Sequence, residues 1–357
     1  MRINLTKEAF SVRGYRLAEH GKITADAFKY ESGVEALRVN TGKAEFVFLP
    51  FVGQQIWDFK YDGRRISMTS TVKEPKRVNE YLFNYGGFLY HCGITAFGVP
   101  SKEDSHPQHG ELPNAEYDSA YMIFGEDEGG KYAVFGGKYV YDKAFITSYS
   151  FNPEFKIYEN SGLLDYRVAL ENLKGSPMEY SYLCHINFQP FSGAKLIYAA
   201  EKGSEKIYYN PLSVREDLRL PLGEYVEKLK KDVTVSDTVC GAGQVYDPEL
   251  CFSFKYKADE AGRGYTLQRE YGKGACYVEH PVNDLPFVIR WISSTPDEKA
   301  LGMALPATGE HLGLAHMRKN GQIKILPPHG KAVFSIKCGY LCEEAAKAAE
   351  KKIEKLK

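Results

Sequence analysis

Short strand-like segments between turn signals are the feature that most limits how this chain can fold. Six segments are rich in β-branched or aromatic residues, and several alternate apolar and polar residues with a period of two. They cover residues 44–50, 132–140, 163–170, 178–188, 251–256 and 332–338. Tyrosine and phenylalanine, with 26 and 20 copies, supply most of the aromatic residues, and both types favour strands. An all-β fold is therefore predicted.

Helical patterns are few. Residues 223–231 form a short candidate helix, and residues 342–357 form a stronger one, in which alanines, Ile353 and Leu356 make a narrow apolar stripe. No composition shift, low-complexity run or repeat divides the 357 residues. We therefore expect one large β-sandwich domain over residues 1–357, with a few short helices and a C-terminal helix on its outside. A barrel and two smaller sandwiches are the alternatives.

The charge balance and the cysteine content limit which binding partners and which cellular compartment are expected. The 46 basic and 46 acidic side chains balance, so neither nucleic acid nor an anionic membrane is expected as a partner, and a small neutral ligand fits better. The seven cysteines are scattered without a CxxC pair, and no run of about 18 apolar residues occurs. These features favour a reduced, cytoplasmic protein, and they do not set its oligomeric state.

The segment HPQHGELPN, residues 106–114, is the strongest candidate for a functional loop. It places His106, His109 and Glu111 within six residues, together with Pro107, Gly110 and Pro113. Proline and glycine at this density prevent a regular helix, so the polar side chains are expected on a loop or strand end. Imidazole and carboxylate groups suit acid and base chemistry near neutral pH.

The order of several motifs resembles the galactose mutarotase-like family of aldose 1-epimerases, over most of the chain. The matching segments are FVGQQIWDFKYDGRRI at 51–66, GGFLYHCG at 86–93, the His-Gly of HPQHGELPN, CHINFQPF at 184–191 and GQIKILPPHGKAVFSI at 321–336. No single segment is diagnostic, and their order and spacing together carry the resemblance.

This resemblance implies a β-supersandwich that interconverts the anomers of a free monosaccharide or simple derivative, with no cofactor. The reaction needs a base for the anomeric hydroxyl and an acid for the ring oxygen. By the family pattern, His185 matches the acid and His109 matches a residue that binds and polarises sugar hydroxyls. His91 in GGFLYHCG, His106 and Glu111 are expected to contact the sugar as well.

One family feature is missing from this sequence. The family places its base glutamate directly before a proline near the C-terminus, and the corresponding segment here is LGMALPATGEHLG, with Leu305 before Pro306. Glu310 is the predicted substitute base, and Glu111 and Glu279 are alternatives. Different chemistry, or sugar binding without turnover, would also account for the missing carboxylate.

Other side chains are candidates for substrate contacts. Arginine holds carboxylate or phosphate groups in a bidentate geometry, so an anionic sugar substituent could be held by a cation. The candidates are Arg64, Arg65, Arg290 and Arg318. Trp291 is a candidate for stacking on the sugar ring.

Two rival functions remain open at this point. The cluster of His91, His106, His109 and Glu111 contains ordinary metal ligands, although H-x-x-H-x-E is not a standard metal motif, and no metal is predicted. A metal-assisted sugar isomerase or lactonase is one rival. A carbohydrate-binding protein without catalytic activity is the other.

Overall fold

Alternating burial along the strands sorts their side chains onto two faces. In β-strands successive side chains point to opposite sides of the sheet, and the segment Leu163–Asn172 shows every second residue buried. The computed structural model describes residues 1–209 and 215–357. In these residues, 47% form strands and 13% are helical, in two antiparallel sheets with three α-helices. The predicted all-β sandwich class is confirmed.

The strands, in chain order, are β1 Arg2–Leu5, β2 Tyr15–His20, β3 Ile23–Lys29, β4 Glu35–Asn40, β5 Ala44–Phe48, β6 Ile56–Tyr61, β7 Arg64–Arg65, β8 Leu89–Ile94, β9 Ser119–Asp127, β10 Gly130–Lys143, β11 Thr147–Tyr158, β12 Leu163–Asn172, β13 Met178–Ile186, β14 Lys195–Tyr198, β15 Lys206–Tyr208, β16 Leu250–Phe254, β17 Arg263–Glu270, β18 Gly274–Pro281, β19 Phe287–Ser294, β20 Lys299–Ala307, β21 Lys324–Leu326 and β22 Lys331–Cys342. The α-helices are α1 Glu216–Lys231, α2 Leu314–Lys319 and α3 Glu343–Glu354. Short 3₁₀ helices cover Lys7–Ala9, Tyr81–Asn84 and Val233–Asp237.

The first sheet has nine strands in the order β1-β9-β10-β11-β12-β22-β18-β17-β14. The second has thirteen, ordered β15-β16-β19-β20-β13-β8-β6-β5-β4-β3-β2, with β21 beside β13 and β7 beside β6. Strand β13 lies near the middle of the second sheet, between β20 and β8. Side chains on β13 are therefore surrounded by neighbouring strands on both sides.

Aromatic side chains join the two sheets. Phe48 on β5 stacks on Phe135 of β10 with ring centroids 4.5 Å apart, and it also contacts Phe155 of β11 at 5.6 Å. All three rings are buried. Burying one such ring contributes roughly 1.5–3 kcal/mol, so the phenylalanine-rich strands stabilise the sandwich directly.

Helix α3 covers a second, smaller core on the outer side of the nine-stranded sheet. Its Ala346 and Ile353 pack with Leu267, Ala275 and Tyr277 of β17 and β18. The helix lies inside the predicted range 342–357 and presents its apolar stripe to the sheet.

Helix α1 is longer than the predicted 223–231, because it begins at Glu216 and continues through Pro221. Proline lacks the backbone N–H that a helix interior uses, so its presence in the sequence favoured a later start. Pro221 lies in the second turn, and Leu222, Tyr225, Val226 and Leu229 are buried behind it. Burial of this apolar face compensates for the lost backbone hydrogen bond.

Candidate active site

The register of β13 against β8 decides which histidines lie on which face of the second sheet. Cys184 pairs with His91, and His185 pairs with Tyr90. Directly paired residues share a face, and adjacent residues on a strand face opposite ways. His91 contacts Tyr166 of the nine-stranded sheet, so its face is the sandwich core. His185 therefore lies on the other face, away from the nine-stranded sheet.

The loop after β8 brings His109 to the same face as His185. The His109 backbone donates to the Gly98 carbonyl at 3.0 Å, and its carbonyl accepts from Gly93 N at 2.9 Å. Its φ of 61° lies in the left-handed region, and Gly110 follows with a φ of 80°. At Gly110 a side chain would collide with the Ala96 carbonyl, so glycine is required there. The loop thus returns onto the end of β8 with its imidazole directed at β13.

His109 and His185 are in edge-to-face contact. Their ring centroids are 5.4 Å apart with an interplanar angle of 87°. Both side chains are at least nine-tenths buried, and the Nδ1 atom of His109 has no hydrogen-bond partner among the described residues. Two imidazoles that are 76 positions apart in sequence therefore form one group.

Aromatic rings surround this pair. Trp291 and Tyr85 lie 5.6 Å from His185, and Tyr81 lies 4.7 Å from His109, measured between ring centroids. Trp291 and Tyr85 also contact each other at 5.7 Å. The Trp291 indole donates to Glu249 at 2.5 Å, which fixes the ring. The group is therefore a histidine pair beside a half-buried aromatic surface, and we name it the histidine cleft.

His311 is a further member that the sequence reasoning missed. Its carbonyl accepts from Val99 N, and its ring lies 5.0 Å from that of Tyr208. It is close enough to lower the pKa of both His109 and His185 when charged. The sequence signal for this residue is its position in the segment GEHLG, directly after Glu310.

Burial keeps these imidazoles neutral. The pKa of His185 is lowered to about 4, mainly by loss of hydration and in part by His311, while the hydrogen bond to Asn187 opposes the shift. The pKa of His109 falls well below 6.5 for the same reason, with additional lowering by His185, His311 and His106. Burial likewise lowers the pKa of His311 to about 4. Near pH 7 all three rings are therefore neutral imidazoles, which can accept a proton but are weaker bases than an exposed histidine.

Asn187 follows β13 directly and contacts His185. Its Oδ1 lies 2.8 Å from His185 Nδ1 and also accepts from the Tyr85 hydroxyl at 3.0 Å. Its Nδ2 donates to the Gly87 carbonyl at 3.0 Å. The side chain is fully buried. The sequence reasoning did not single out this residue.

Glu310, the predicted substitute base, is not free to act as one. Its Oε1 accepts from Lys206 at 2.6 Å and Tyr208 at 3.0 Å, and its Oε2 contacts His316 at 2.7 Å and Gln322 at 3.1 Å. Burial would raise the pKa of this carboxyl, but these four partners outweigh it and hold the pKa at about 2. A carboxylate this weakly basic, with all its lone pairs occupied, is a poor proton acceptor.

His91 was expected to contact the sugar, and the structure places it elsewhere. It is fully buried, and its Nδ1 lies 2.6 Å from the Tyr166 hydroxyl and 3.1 Å from that of Tyr182. Burial lowers its pKa to about 3. Both faces of β8 are buried, so its sequence does not show which face is which. His91 is a polar residue of the sandwich core and does not line the cleft.

The two other predicted site residues of the 106–114 loop, Glu111 and His106, contact the loop and its supporting strands. Glu111 accepts from the backbone of Ile94 and Thr95, from the Thr95 hydroxyl and from the Tyr149 hydroxyl. Its oxygens therefore fix the loop to β8 and β11. His106 contacts the Pro107 carbonyl through Nδ1, and its Nε2 lies 3.8 Å from Asp104. It lies near His109 without joining the ring contacts of the cleft.

The predicted cations are engaged away from the cleft. Arg64 forms two hydrogen bonds with Glu270 and covers the Phe191 ring, and Arg318 pairs with Glu179 on the surface. Arg290 lies on the core side of β19, over Tyr198 and Phe254. Arg65 contacts Asp58. None of the four contacts His109 or His185, so an anionic substituent is not held as predicted.

Leu305, at the position of the missing base, faces the cleft side of the second sheet. Gly302 pairs with Trp291, so a side chain at Gly302 would point to the face that carries Trp291. A Cβ built there would lie 2.9 Å from the Leu305 side chain. Leu305 therefore covers Gly302 on that face, and it is 1% exposed. Glu279, another alternative base, pairs with Arg263 on β17 of the nine-stranded sheet.

Three further observations bear on the expectations from composition. In residues 1–209 and 215–357, no three His, Cys, Asp or Glu side chains are arranged to hold a metal ion. None of the helices described is long and apolar enough to cross a membrane. All seven cysteines are free thiols.

Known proteins identify the family of this chain. Residues 31–339 match the family described as Domain of unknown function (DUF4432), and no curated protein matches the sequence. A structure from Klebsiella pneumoniae, described as a putative aldose 1-epimerase, superposes with a TM-score of 0.80 at 17% identity, covering 100% of this chain and 91% of the other. A galactose mutarotase-like protein from Clostridium acetobutylicum gives a TM-score of 0.57 at 13% identity, with 90% and 100% covered. The chain therefore belongs to the DUF4432 family and has the galactose mutarotase-like fold that its motif order predicted.

Proposed function

We propose that this protein is an aldose 1-epimerase-like enzyme that interconverts the anomers of a neutral monosaccharide in the histidine cleft. The observation that carries the proposal is the contact between His109 and His185, two neutral imidazoles 5.4 Å apart beside aromatic rings. Mutarotation needs two proton-transferring groups at one carbon, and no cofactor. Two adjacent imidazoles are suited to that task.

The aromatic surface suits a sugar ring. The C–H face of a pyranose is apolar and packs on indole or phenol rings, while its hydroxyls require hydrogen-bond partners. Trp291 and Tyr85 offer the first kind of contact, and the imidazole nitrogens of His109 and His311 offer the second. Arg64 and Arg318 are paired elsewhere, which favours a sugar without a phosphate or carboxylate.

The proton balance of the reaction requires the pair to hold one proton. One imidazole takes the proton from the anomeric hydroxyl O1 as the C1–O5 bond breaks, and the other gives a proton to O5. The open-chain aldehyde then rotates about C1–C2, and closure reverses both transfers. The pair ends with the same single proton, so no other reactant is consumed. Because both pKa values lie below 6.5, the singly protonated pair is a minority species at pH 7.

Similarity to other proteins supports the proposal at the level of the fold. The Klebsiella protein is described as a putative aldose 1-epimerase and the Clostridium protein as galactose mutarotase-like. Their identities of 17% and 13% do not carry an activity to this chain by themselves. The support for turnover is the chemistry of the cleft.

A second candidate is sugar binding without turnover. Leu305 stands where the family has its base, and Glu310 has a pKa of about 2 with four hydrogen-bond partners. A cleft with three neutral imidazoles, beside which Glu310 is saturated, can bind hydroxyls without accelerating ring opening. This candidate predicts that the protein binds the same sugar as the enzyme candidate would, but does not accelerate its mutarotation.

Polarimetry separates the two candidates. Freshly dissolved α-glucose and α-galactose should reach their anomeric equilibrium faster with the protein than in buffer alone, and His185→Gln should remove the acceleration. His280→Gln is the matched control, because His280 is equally buried but lies on β18 of the other sheet. Calorimetric binding of a sugar without faster mutarotation would establish the binder. If protein purified without an affinity tag contains stoichiometric metal, and its activity is lost when that metal is removed, the metal-assisted alternative is established.

We also propose a cytoplasmic location. Support comes from the seven free cysteines, four of which are buried with no disulfide partner in the described chain. Burial raises the pKa of Cys92 and Cys338 well above 9.0, so these thiols are protonated and resist oxidation. Cell fractionation tests this location.

A further inference from the structure

We propose that Asn187 fixes the proton of His185 on Nδ1, so that the bare Nε2 of His185 is the base that position 305 does not supply. This inference rests on the proposed function for the role of the base. The tautomer of His185 itself is a property of the resting protein. Asn187 is then a positioning residue, and His185 is the catalytic one.

The orientation of the Asn187 amide is fixed by its other partner. The Gly87 carbonyl can only accept a hydrogen bond, so the amide group that faces it at 3.0 Å must be the NH₂ group. Turning the amide over would place two carbonyl oxygens against each other. The Oδ1 atom therefore faces His185 and Tyr85.

This orientation determines the tautomer. An amide oxygen cannot donate, so His185 Nδ1, 2.8 Å from Oδ1, must carry the hydrogen. The Tyr85 hydroxyl donates to the same oxygen at 3.0 Å and occupies its second lone pair. In a neutral ring with hydrogen on Nδ1, Nε2 carries a lone pair. His185 Nε2 makes no hydrogen bond to any described residue.

The backbone holds Asn187 in place. Its N–H donates to the Phe88 carbonyl at 2.7 Å, and its carbonyl accepts from Met68 N at 3.0 Å. The side chain is 0% exposed. These bonds fix Asn187 between β8 and the segment after β7, so the amide has little freedom to leave His185. The contact is thus built into the sheet and does not depend on a mobile loop.

An amide differs from a carboxylate in what it does to the ring. A carboxylate on Nδ1 fixes the same tautomer but also stabilises the imidazolium. The neutral amide fixes the tautomer without adding charge, so the ring stays neutral and able to accept. This assigns His185 the role opposite to the acid that the motif resemblance implied. His109 is then the partner that gives a proton to O5.

The first test reads the tautomer directly. In protein labelled with ¹⁵N-histidine at pH 7, His185 should show a protonated, pyrrole-type nitrogen at Nδ1 and an unprotonated, pyridine-type nitrogen at Nε2. Loss of this pair of signals in His185→Gln assigns them. A pyrrole-type Nε2 on His185 would overturn the inference. No sugar is added, so the result stands whether or not the protein has mutarotase activity.

The second test changes the charge on Nδ1. Asn187→Asp keeps the hydrogen bond to His185 Nδ1, replaces the NH₂ group that faces the Gly87 carbonyl with an oxygen and adds a negative charge, so the pH at which His185 titrates in the same spectra should rise by at least one unit. Asn172→Asp is the matched control, because the equally buried Asn172 side chain also donates to backbone carbonyls, those of Ser176 and Pro327, and accepts from Lys174 N, with no hydrogen bond to His185. It should leave the His185 titration unchanged. An unaltered His185 titration in folded Asn187→Asp would contradict the positioning role.

Discussion

At the scale of single residues, the cleft is defined by neutral histidines where the family pattern has a carboxylate. His109 and His185 touch, and Leu305 covers Gly302 on the same side of the sheet. Of the carboxylates near these rings, Glu310 is saturated by four partners and Glu249 accepts from the Trp291 indole. The proposed acid and base chemistry therefore rests on the imidazoles, whose pKa values are lowered mainly by burial.

Restoring the carboxylate at Leu305 tests this substitution of base. In the His185→Gln protein, we expect the additional substitution Leu305→Glu to raise the mutarotation rate at least tenfold. The reason is that the new carboxylate points to the face that carries Trp291. The double variant should lose about 2–4 kcal/mol of stability, since a buried carboxyl replaces a buried leucine. Polarimetry and urea unfolding measure the two effects. A double variant that folds but is no faster than His185→Gln would show that position 305 does not reach the substrate.

Replacing Glu310 separates structure from catalysis. Glu310→Gln removes the charge that pairs with Lys206 and His316, so we expect a loss of about 2–4 kcal/mol of stability. If Glu310 is not the base, kcat should change less than tenfold, whereas loss of a base typically costs about 10²–10⁴-fold. Thermal unfolding and kcat are measured on the same preparation. A hundredfold loss of kcat at full stability would return Glu310 to the role of base.

At the scale of elements, alternation along strands explains both the successes and the failures of sequence reasoning. The six predicted strand segments overlap β5, β10, β12, β13, β16 and β22. The period of two could not place His91, because every residue of β8 is buried. Asn187 and His311 were missed because their roles arise from contacts with residues far away in sequence, such as Gly87 and Tyr208. Local patterns predict elements, and they do not predict which polar groups meet.

At the same scale, helix α3 is held on the nine-stranded sheet mainly through one residue of that sheet. Arg269 on β17 is fully buried and forms two hydrogen bonds with Glu343 and one with Glu350 on α3. Arg269→Met removes the buried guanidinium and its hydrogen bonds to both carboxylates, so we expect a loss of about 3–5 kcal/mol of unfolding free energy. Faster amide hydrogen exchange in α3 should accompany it.

The matched control for this prediction is Lys347→Met. Lys347 pairs with the same Glu343 at 3.3 Å but is 63% exposed, so its removal should cost less than about 0.5 kcal/mol. Equal effects of the two substitutions would contradict the account of α3 attachment.

At the scale of the whole molecule, the sandwich contains several imidazoles that stay neutral in the folded state. Burial lowers the pKa of five of them below 6.5, namely His91, His109, His185, His280 and His311. The outline of this sandwich was predictable from strand patterns and motif order. Its inventory of buried polar groups was not, because burial of a histidine depends on the packing of both sheets.

These histidines predict loss of stability in mild acid. Below pH 6.5 the unfolded chain takes up protons that the folded protein does not, so the free energy of unfolding falls as pH falls from 6.5 towards about 4. Each imidazole contributes up to about 1.4 kcal/mol per pH unit in that window. Urea unfolding at pH 7.5, 6.0 and 5.0 measures the slope. His280→Leu should make the unfolding free energy depend less steeply on pH. The substitution removes one buried imidazole, whose ring nitrogens both lack hydrogen-bond partners among the described residues. An unfolding free energy that is constant from pH 7.5 to 5.0 would refute this origin of acid sensitivity.

The central claim, that the pair of His109 and His185 exchanges protons with a bound sugar, is tested most directly by magnetisation transfer between the α and β anomers of glucose or galactose at equilibrium. The account predicts exchange that is catalysed by the wild-type protein and by His280→Gln, and that is lost at least a hundredfold in His109→Gln and His185→Gln. Undiminished exchange in both cleft variants, with each protein folded, would contradict it.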